Sequence, residues 1–152
     1  MRSRTGGFML IEAMIGTVLF LVGILGMVSL QAAAAKNTVE SKYRTDAAFL
    51  ANQVIGQMWG DRANLAGYDT SLSVGTTARD CWLRHLGASM PGIADVSGMA
   101  CGPAAAAVLG GAIPPSITIA ATQATIVIRW KMPGDANNPI RSYQVVAQLN
   151  AS

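Results

Sequence analysis

The sequence predicts an α+β fold, one long N-terminal helix followed by a small antiparallel β-sheet. Three observations carry this. No proline interrupts the chain from Phe8 to about Trp59. Within that stretch the pattern changes from uniformly apolar, up to Leu30, to one-sided from Lys36 onward. Near the C-terminus, two segments of period-two alternation flank a turn-rich stretch, which is the pattern of a hairpin. The 152 residues are 51% apolar and only 12% charged, enough for one small domain besides the apolar run.

The first element is the apolar run. Phe8 to Leu30 spans roughly 34 Å as a helix, enough to cross a bilayer core. A short basic head, Met1–Gly7 with Arg2 and Arg4, precedes it. Excess Lys/Arg on one side of a span marks the cytoplasmic side, so the head stays inside and the rest of the chain goes out. Gly16, Gly23 and Gly26 lie in the span. They allow close helix packing and weaken a helix in water. One carboxylate, Glu12, sits near the start. A charge at mid-bilayer costs on the order of 2.5–3.5 kcal/mol on insertion scales, so such a residue is a functional hypothesis by default.

The segment Gly6-Gly7-Phe8-Met9-Leu10-Ile11-Glu12 resembles the N-terminus of type IV prepilins and the related pseudopilins. The resemblance implies that a prepilin peptidase cuts between Gly7 and Phe8, that Phe8 is then N-methylated, and that Glu12 guides assembly. Cleavage leaves an ammonium on Phe8, about one helical turn from Glu12. In a bundle of parallel helices that ammonium meets the Glu12 of a neighbour, and the pair is better neutralised together than either is alone in apolar surroundings. Two other readings use the same run. One is an ordinary secretory signal peptide cut after Ala32–Ala35; the other is a plain signal anchor. The run is longer than a usual signal-peptide core. Neither reading gives Glu12, directly behind Gly7-Phe8, a reason to be there.

From Lys36 the helix turns one-sided. Val39, Tyr43, Ala47, Leu50, Val54 and Met58 step by three or four and form one stripe, while Glu40, Lys42, Arg44, Asp46, Gln53 and Gln57 fall off it. That stripe suits a helix carrying a globular head along one side. The domain plan is therefore a basic leader at 1–7, a hydrophobic helix at 8–35, and an amphipathic helix plus globular head at 36–152.

Gly60 to Tyr68 reads as a turn region, followed by small polar residues to Thr77. Ala78 to Leu86 reads as a helix with Cys81, Trp82 and Leu86 inward. The stretch from Gly87 to Pro115 is rich in Gly, Ala and Pro, with a short helix after Pro103 as an option. Ser116–Ala120 reads as a strand. Ile126, Ile128 and Trp130 alternate with Val127, Arg129 and Lys131. Arg141, Tyr143, Val145, Ala147 and Leu149 alternate with Ser142, Gln144, Val146 and Gln148. The sheet has three or four strands and covers the helix stripe. This arrangement agrees with the pilin fold that the resemblance implies.

The two cysteines, Cys81 and Cys101, lie beyond the span and are predicted to form a disulfide in an oxidising compartment. Closing such a loop is worth roughly 3 kcal/mol on the chain-entropy model.

Further resemblances narrow the kind. The helix end Ala51-Asn52-Gln53-Val54 to Met58, then Arg62 to Tyr68, looks like the minor pilins called PilV. Trp82, Leu86 and Met90-Pro91-Gly92 fit that group, as do the strands Ile126–Trp130 and Val145–Leu149. Major pilins usually carry a helix-breaking proline in the span and a disulfide near the chain end; this chain shows neither. The resemblance implies a structural subunit that joins other minor pilins to initiate assembly of the filament built from the major pilin. It implies work with an inner-membrane assembly platform, and leaves open a place at the tip beside an adhesin. It implies a single-pass inner-membrane protein with its head in the periplasm, moving to an extracellular pilus that serves twitching motility and adhesion. The rival is a minor pseudopilin of a type II secretion system, which shares motif and fold.

Other function classes find little support. Removing Arg2 and Arg4 from the eleven Lys/Arg leaves nine against eight Asp/Glu, so basicity does not argue for nucleic acid. No cluster of Lys/Arg with aromatics appears either. Cys81 and His85 are four apart, with Asp80 as an orienter, and suggest a thiolate–imidazole nucleophile. A disulfide to Cys101 would remove it, so no enzyme activity is expected. Two cysteines and a single histidine fall short of four structural metal ligands. No cofactor motif is present. A monomeric membrane-anchored binding module is a third class, and it predicts that Gly7 and Glu12 tolerate substitution.

Overall fold

Fifty-five residues without a proline form helix α1 (Gly6–Gly60). The computed structural model describes residues 6–72, 75–93, 101, 110, 113–134 and 139–149. The chain divides into two compact units, Met1–Ser41 and Lys42–Ser152. Helix α1 contributes its residues up to Ser41 to the first and those from Lys42 to the second. It is long and apolar enough, by length and composition, to be a candidate membrane span.

In the second unit the predicted stripe is the core face. Ala47, Leu50, Ala51, Val54 and Met58 are buried, and Tyr43 packs against them in part. Val39, placed on the stripe by its spacing, is exposed; it belongs to the first unit, ahead of the core. Helix α1 ends at Gly60, where Asp61 N–H still donates to Gln57 O at 3.0 Å. The Arg62 guanidinium then stacks over the Trp59 ring at 4.3 Å. The expected turn region is instead a 3-10 helix, Arg62–Tyr68, kinked at Asn64. The side chain of Asn64 donates to Asp61 Oδ1 at 2.7 Å, a local bond that tightens the turn. Tyr68 closes the element and is buried.

Helix α2 (Thr77–Ser89) begins one residue before the expected start and ends three residues after the expected end. Thr76 is its N-cap, accepting from Arg79 N at 3.1 Å, and Asp80 sits in the first turn, where a negative charge suits the helix dipole. Trp82, Leu83 and Leu86 face the core. The Trp82 indole N–H donates to Leu50 O of α1 at 2.7 Å, so the two helices are joined by a buried hydrogen bond as well as by packing. The option of a short helix after Pro103 lies outside the described residues.

Three antiparallel strands follow, in the order β1 (Ser116–Ala120), β2 (Gln123–Lys131), β3 (Ile140–Gln148). The alternation reads out as expected. Ala124, Ile126, Ile128 and Trp130 are buried with Ile117 and Leu149, and Tyr143 and Val145 are half-buried beside them. The β2–β3 pairing runs unbroken from Gln123↔Gln148 to Lys131↔Ile140. The first hairpin turns through Ala121 and Thr122, and Leu149 N–H donates to Thr122 O at 2.6 Å, tying the end of β3 to that turn. The architecture is α+β: the second half of α1 packs on a three-stranded antiparallel sheet. Gly92 has φ +85 and sits where an added Cβ would be 3.2 Å from Lys131 N, so the chain after α2 can lie against β2 only with glycine there. Lys131 N–H donates to Pro91 O at 3.0 Å across this contact.

Two substitutions test the backbone reading in opposite directions. A Cβ at Gly75 would overlap the buried Arg79 guanidinium. Gly75→Ala should therefore destabilise by about 1–3 kcal/mol through lost hydrogen bonds, more than the roughly 0.4–1 kcal/mol gained by restricting the unfolded chain. Ala121 has φ 53, a left-handed conformation that costs an L-residue about 1–2 kcal/mol. Ala121→Gly should raise stability by about 1 kcal/mol or less after the glycine entropy term. Denaturant unfolding of the two variants checks both signs.

Candidate functional site at the start of helix α1

Helix α1 begins at Gly6, so Gly7 and Phe8 lie in its first turn and Glu12 in its second. Arg2 and Arg4 of the head lie outside the described residues. Every Val, Ile, Leu, Met and Phe from Phe8 to Leu30 is at least 43% exposed, and Phe8 itself is 75% exposed. Ile11, Met14, Ile15, Val18 and Leu19 line a shallow apolar groove along one side, with Glu12 next to its start. Such a surface is too large to stay in water.

The polar side chains of the span divide into two kinds. The hydroxyls of Thr17 and Ser29 donate to Ala13 O at 2.7 Å and Gly26 O at 2.8 Å, so each is satisfied inside its own helix. Both can enter an apolar medium at little cost. Glu12 is different. It has no hydrogen-bond or ion-pair partner among the described residues, and it stands exposed among apolar neighbours. A carboxylate in that position needs a cation or a proton once water is removed.

The residues of the nucleophile reading do not assemble into one. Cys81 and Cys101 form a disulfide with Cα atoms 4.6 Å apart, as the pairing predicted. His85 is exposed on α2. Asp80 Oδ1 is engaged by Arg79, accepting from Nε at 3.1 Å and Nη2 at 2.9 Å. Among the described residues no group of three or more His, Cys, Asp or Glu is placed to hold a metal ion.

Sequence reasoning missed a polar clamp beside the disulfide. Arg79 is only 2% exposed. Its Nη1 donates to Asp69 O at 2.9 Å and Leu72 O at 3.1 Å, pinning the loop that precedes α2. The Asp69 carboxylate accepts from Ser71 N at 2.8 Å and from Ile119 N of β1 at 3.1 Å. Thr70 completes the seam, its hydroxyl accepting from Ile117 N at 3.0 Å. Thus α2, which carries Cys81, is anchored to the sheet edge through one buried guanidinium and one carboxylate. The available signal was the Thr76…Arg79-Asp80 spacing of a capped helix start.

Burial alone would raise the pKa of Asp69. The hydrogen bonds from Ser71 and Ile119, with Arg79 nearby, outweigh it and hold the carboxyl below its usual range. Tyr68 moves the other way: burial pushes its phenol up, against a hydrogen bond with Thr76 that lowers it.

Comparisons of this chain with protein-family models, with curated proteins and with solved structures give no match.

Because Asp69 is depressed in the folded state, its stabilisation is present above the unfolded Asp value of about 3.9 and is lost as pH falls through the lower folded value. Acid unfolding followed by circular dichroism should lose this contribution below about pH 4. Asp69→Asn should be less stable at neutral pH and lose less stability as pH falls below about 4.

Proposed function

We propose that this chain is a minor subunit of a type IV pilus, with the pilin fold. It is made with a basic leader that a prepilin peptidase removes between Gly7 and Phe8, after which Phe8 is N-methylated. It waits in the inner membrane with its head in the periplasm. Together with other minor pilins, the major pilin and the inner-membrane assembly platform it helps start the filament, a role that suits a place at the tip beside an adhesin. The observation that carries this is Glu12, a carboxylate without a partner among the described residues, on a candidate span whose hydroxyls at Thr17 and Ser29 are satisfied within the helix.

The chemistry follows from helix electrostatics. Cleavage places a positive ammonium on Phe8 at a helix N-terminus, where the macrodipole is already positive. That charge is unfavourable in apolar surroundings until a carboxylate meets it. Glu12 of an adjacent subunit supplies one, and the same contact relieves Glu12. A pair of this kind fixes the axial offset between two helices, because a shift of one turn, about 5.4 Å, separates the charges. The surrounding apolar side chains hold helices together without choosing an offset.

Glu12→Val separates processing from assembly. The leader should be removed as in the wild type, while incorporation into sheared filaments falls by at least tenfold. Gly7→Glu should leave the leader attached. Normal filament incorporation of Glu12→Val would overturn the reading. A deletion strain that keeps twitching motility but loses exoprotein release would move the chain to the pseudopilins of type II secretion.

A further inference from the structure

Strand β3 pairs with β2 along one edge and, among the described residues, with no strand along the other. From Ser142 to Gln148, about 23 Å of strand, the outer edge has no strand partner for its backbone N–H and C=O groups among the described residues. Free edges of this length are ordinarily blunted by proline, lysine, a bulge or an inward-pointing charge. Arg141 guards one end of β3. From Ser142 to Gln148 there is no charge, no proline and no break in the register with β2. Ile140 and Val146 stand 56% and 49% exposed on one face of this strand. On the other face Tyr143 and Val145 are only partly covered by the core. Edge and both faces are thus left incompletely covered over the same few residues.

The strand is also complementary to itself. Turned antiparallel about Gln144, it sets Tyr143 opposite Val145 of a second copy, Ser142 opposite Val146, and Arg141 opposite Ala147. Gln144 meets Gln144. The only charge in the strand therefore never faces its own kind, and an aromatic side chain meets a β-branched one, which is among the favoured cross-strand pairs. An isologous contact of this sort closes after two copies and does not propagate. We propose that the outer edge of β3 is a self-pairing surface: two copies of this chain align their β3 strands antiparallel about Gln144 and join two three-stranded sheets into one of six. This rests on the sheet alone and stands apart from the pilus reading.

The test uses the full-length chain in detergent, with its mass measured by light scattering over a range of concentrations. The wild type should show a monomer–dimer equilibrium. Gln144→Lys and Gln144→Glu each set like charges opposite one another and should weaken the dimer by about fivefold or more. Mixing the two variants sets Lys opposite Glu and should restore it. Restoration on mixing separates this contact from pairing through the apolar helix and from a folding defect in either variant. A wild type that stays monomeric, or single variants that dimerise as well as the wild type, would overturn the proposal. So would a Gln144→Cys chain that cross-links in cells to a different polypeptide and not to itself.

Discussion

The constraint on which everything else turns is the apolar surface that the first unit leaves exposed between Phe8 and Leu30. Those side chains are exposed along the helix, and the second unit builds its core from other residues. By length and composition the helix is a candidate membrane span, and either lipid or other helices would take those side chains out of water. Both environments are apolar, so the helix can pass from one to the other with little change in hydrophobic free energy. What changes is the fate of the polar groups. Thr17 and Ser29 carry their hydrogen-bond partners with them. Glu12 has none among the described residues, so in an apolar medium it would need a cation or a proton from elsewhere. This asymmetry gives a sequence of mostly interchangeable apolar residues one position that discriminates.

The second unit is built for a different purpose, holding a small domain together with few charges. Its core joins the second half of α1, helix α2 and one sheet face. Two devices keep the elements in register where packing alone would leave them free to slide. The Trp82 indole reaches the Leu50 carbonyl, fixing α2 along α1. Arg79 and Asp69 link the loop before α2 to its first turn and to β1. The disulfide from Cys81 then anchors residue 101 to the same helix. These contacts share one helix, so α2 is the element through which the head is organised.

Much of this was legible in the sequence because the signals were periodic. The step of three and four residues from Tyr43 to Met58 located the buried face of α1. The period-two alternation at Ile126–Trp130 and Tyr143–Leu149 located the hairpin and its inner face. The Cys81–Cys101 pairing followed from an even count beyond a span. What escaped was local geometry that depends on contacts far apart in the chain. Asp69 acts through Ile119, fifty residues away, so no window of sequence could show the bond. Gly60 to Tyr68 reads as a turn region in sequence; Tyr68 is buried in the core, and Arg62–Tyr68 forms a 3-10 helix. At the candidate site, Gly7, Phe8 and Glu12 were found by resemblance. The fold adds to them that Glu12 lies on an exposed stretch of helix with no partner among the described residues.

The central claim is that proteolysis at Gly7–Phe8 creates the cation that Glu12 lacks. Intact-mass measurement and N-terminal sequencing of the polypeptide recovered from its native cells test it directly. The account predicts a chain that starts at a monomethylated Phe8 and still contains the apolar helix. A chain that begins at Met1, or one trimmed near Lys36 and released without that helix, would contradict it.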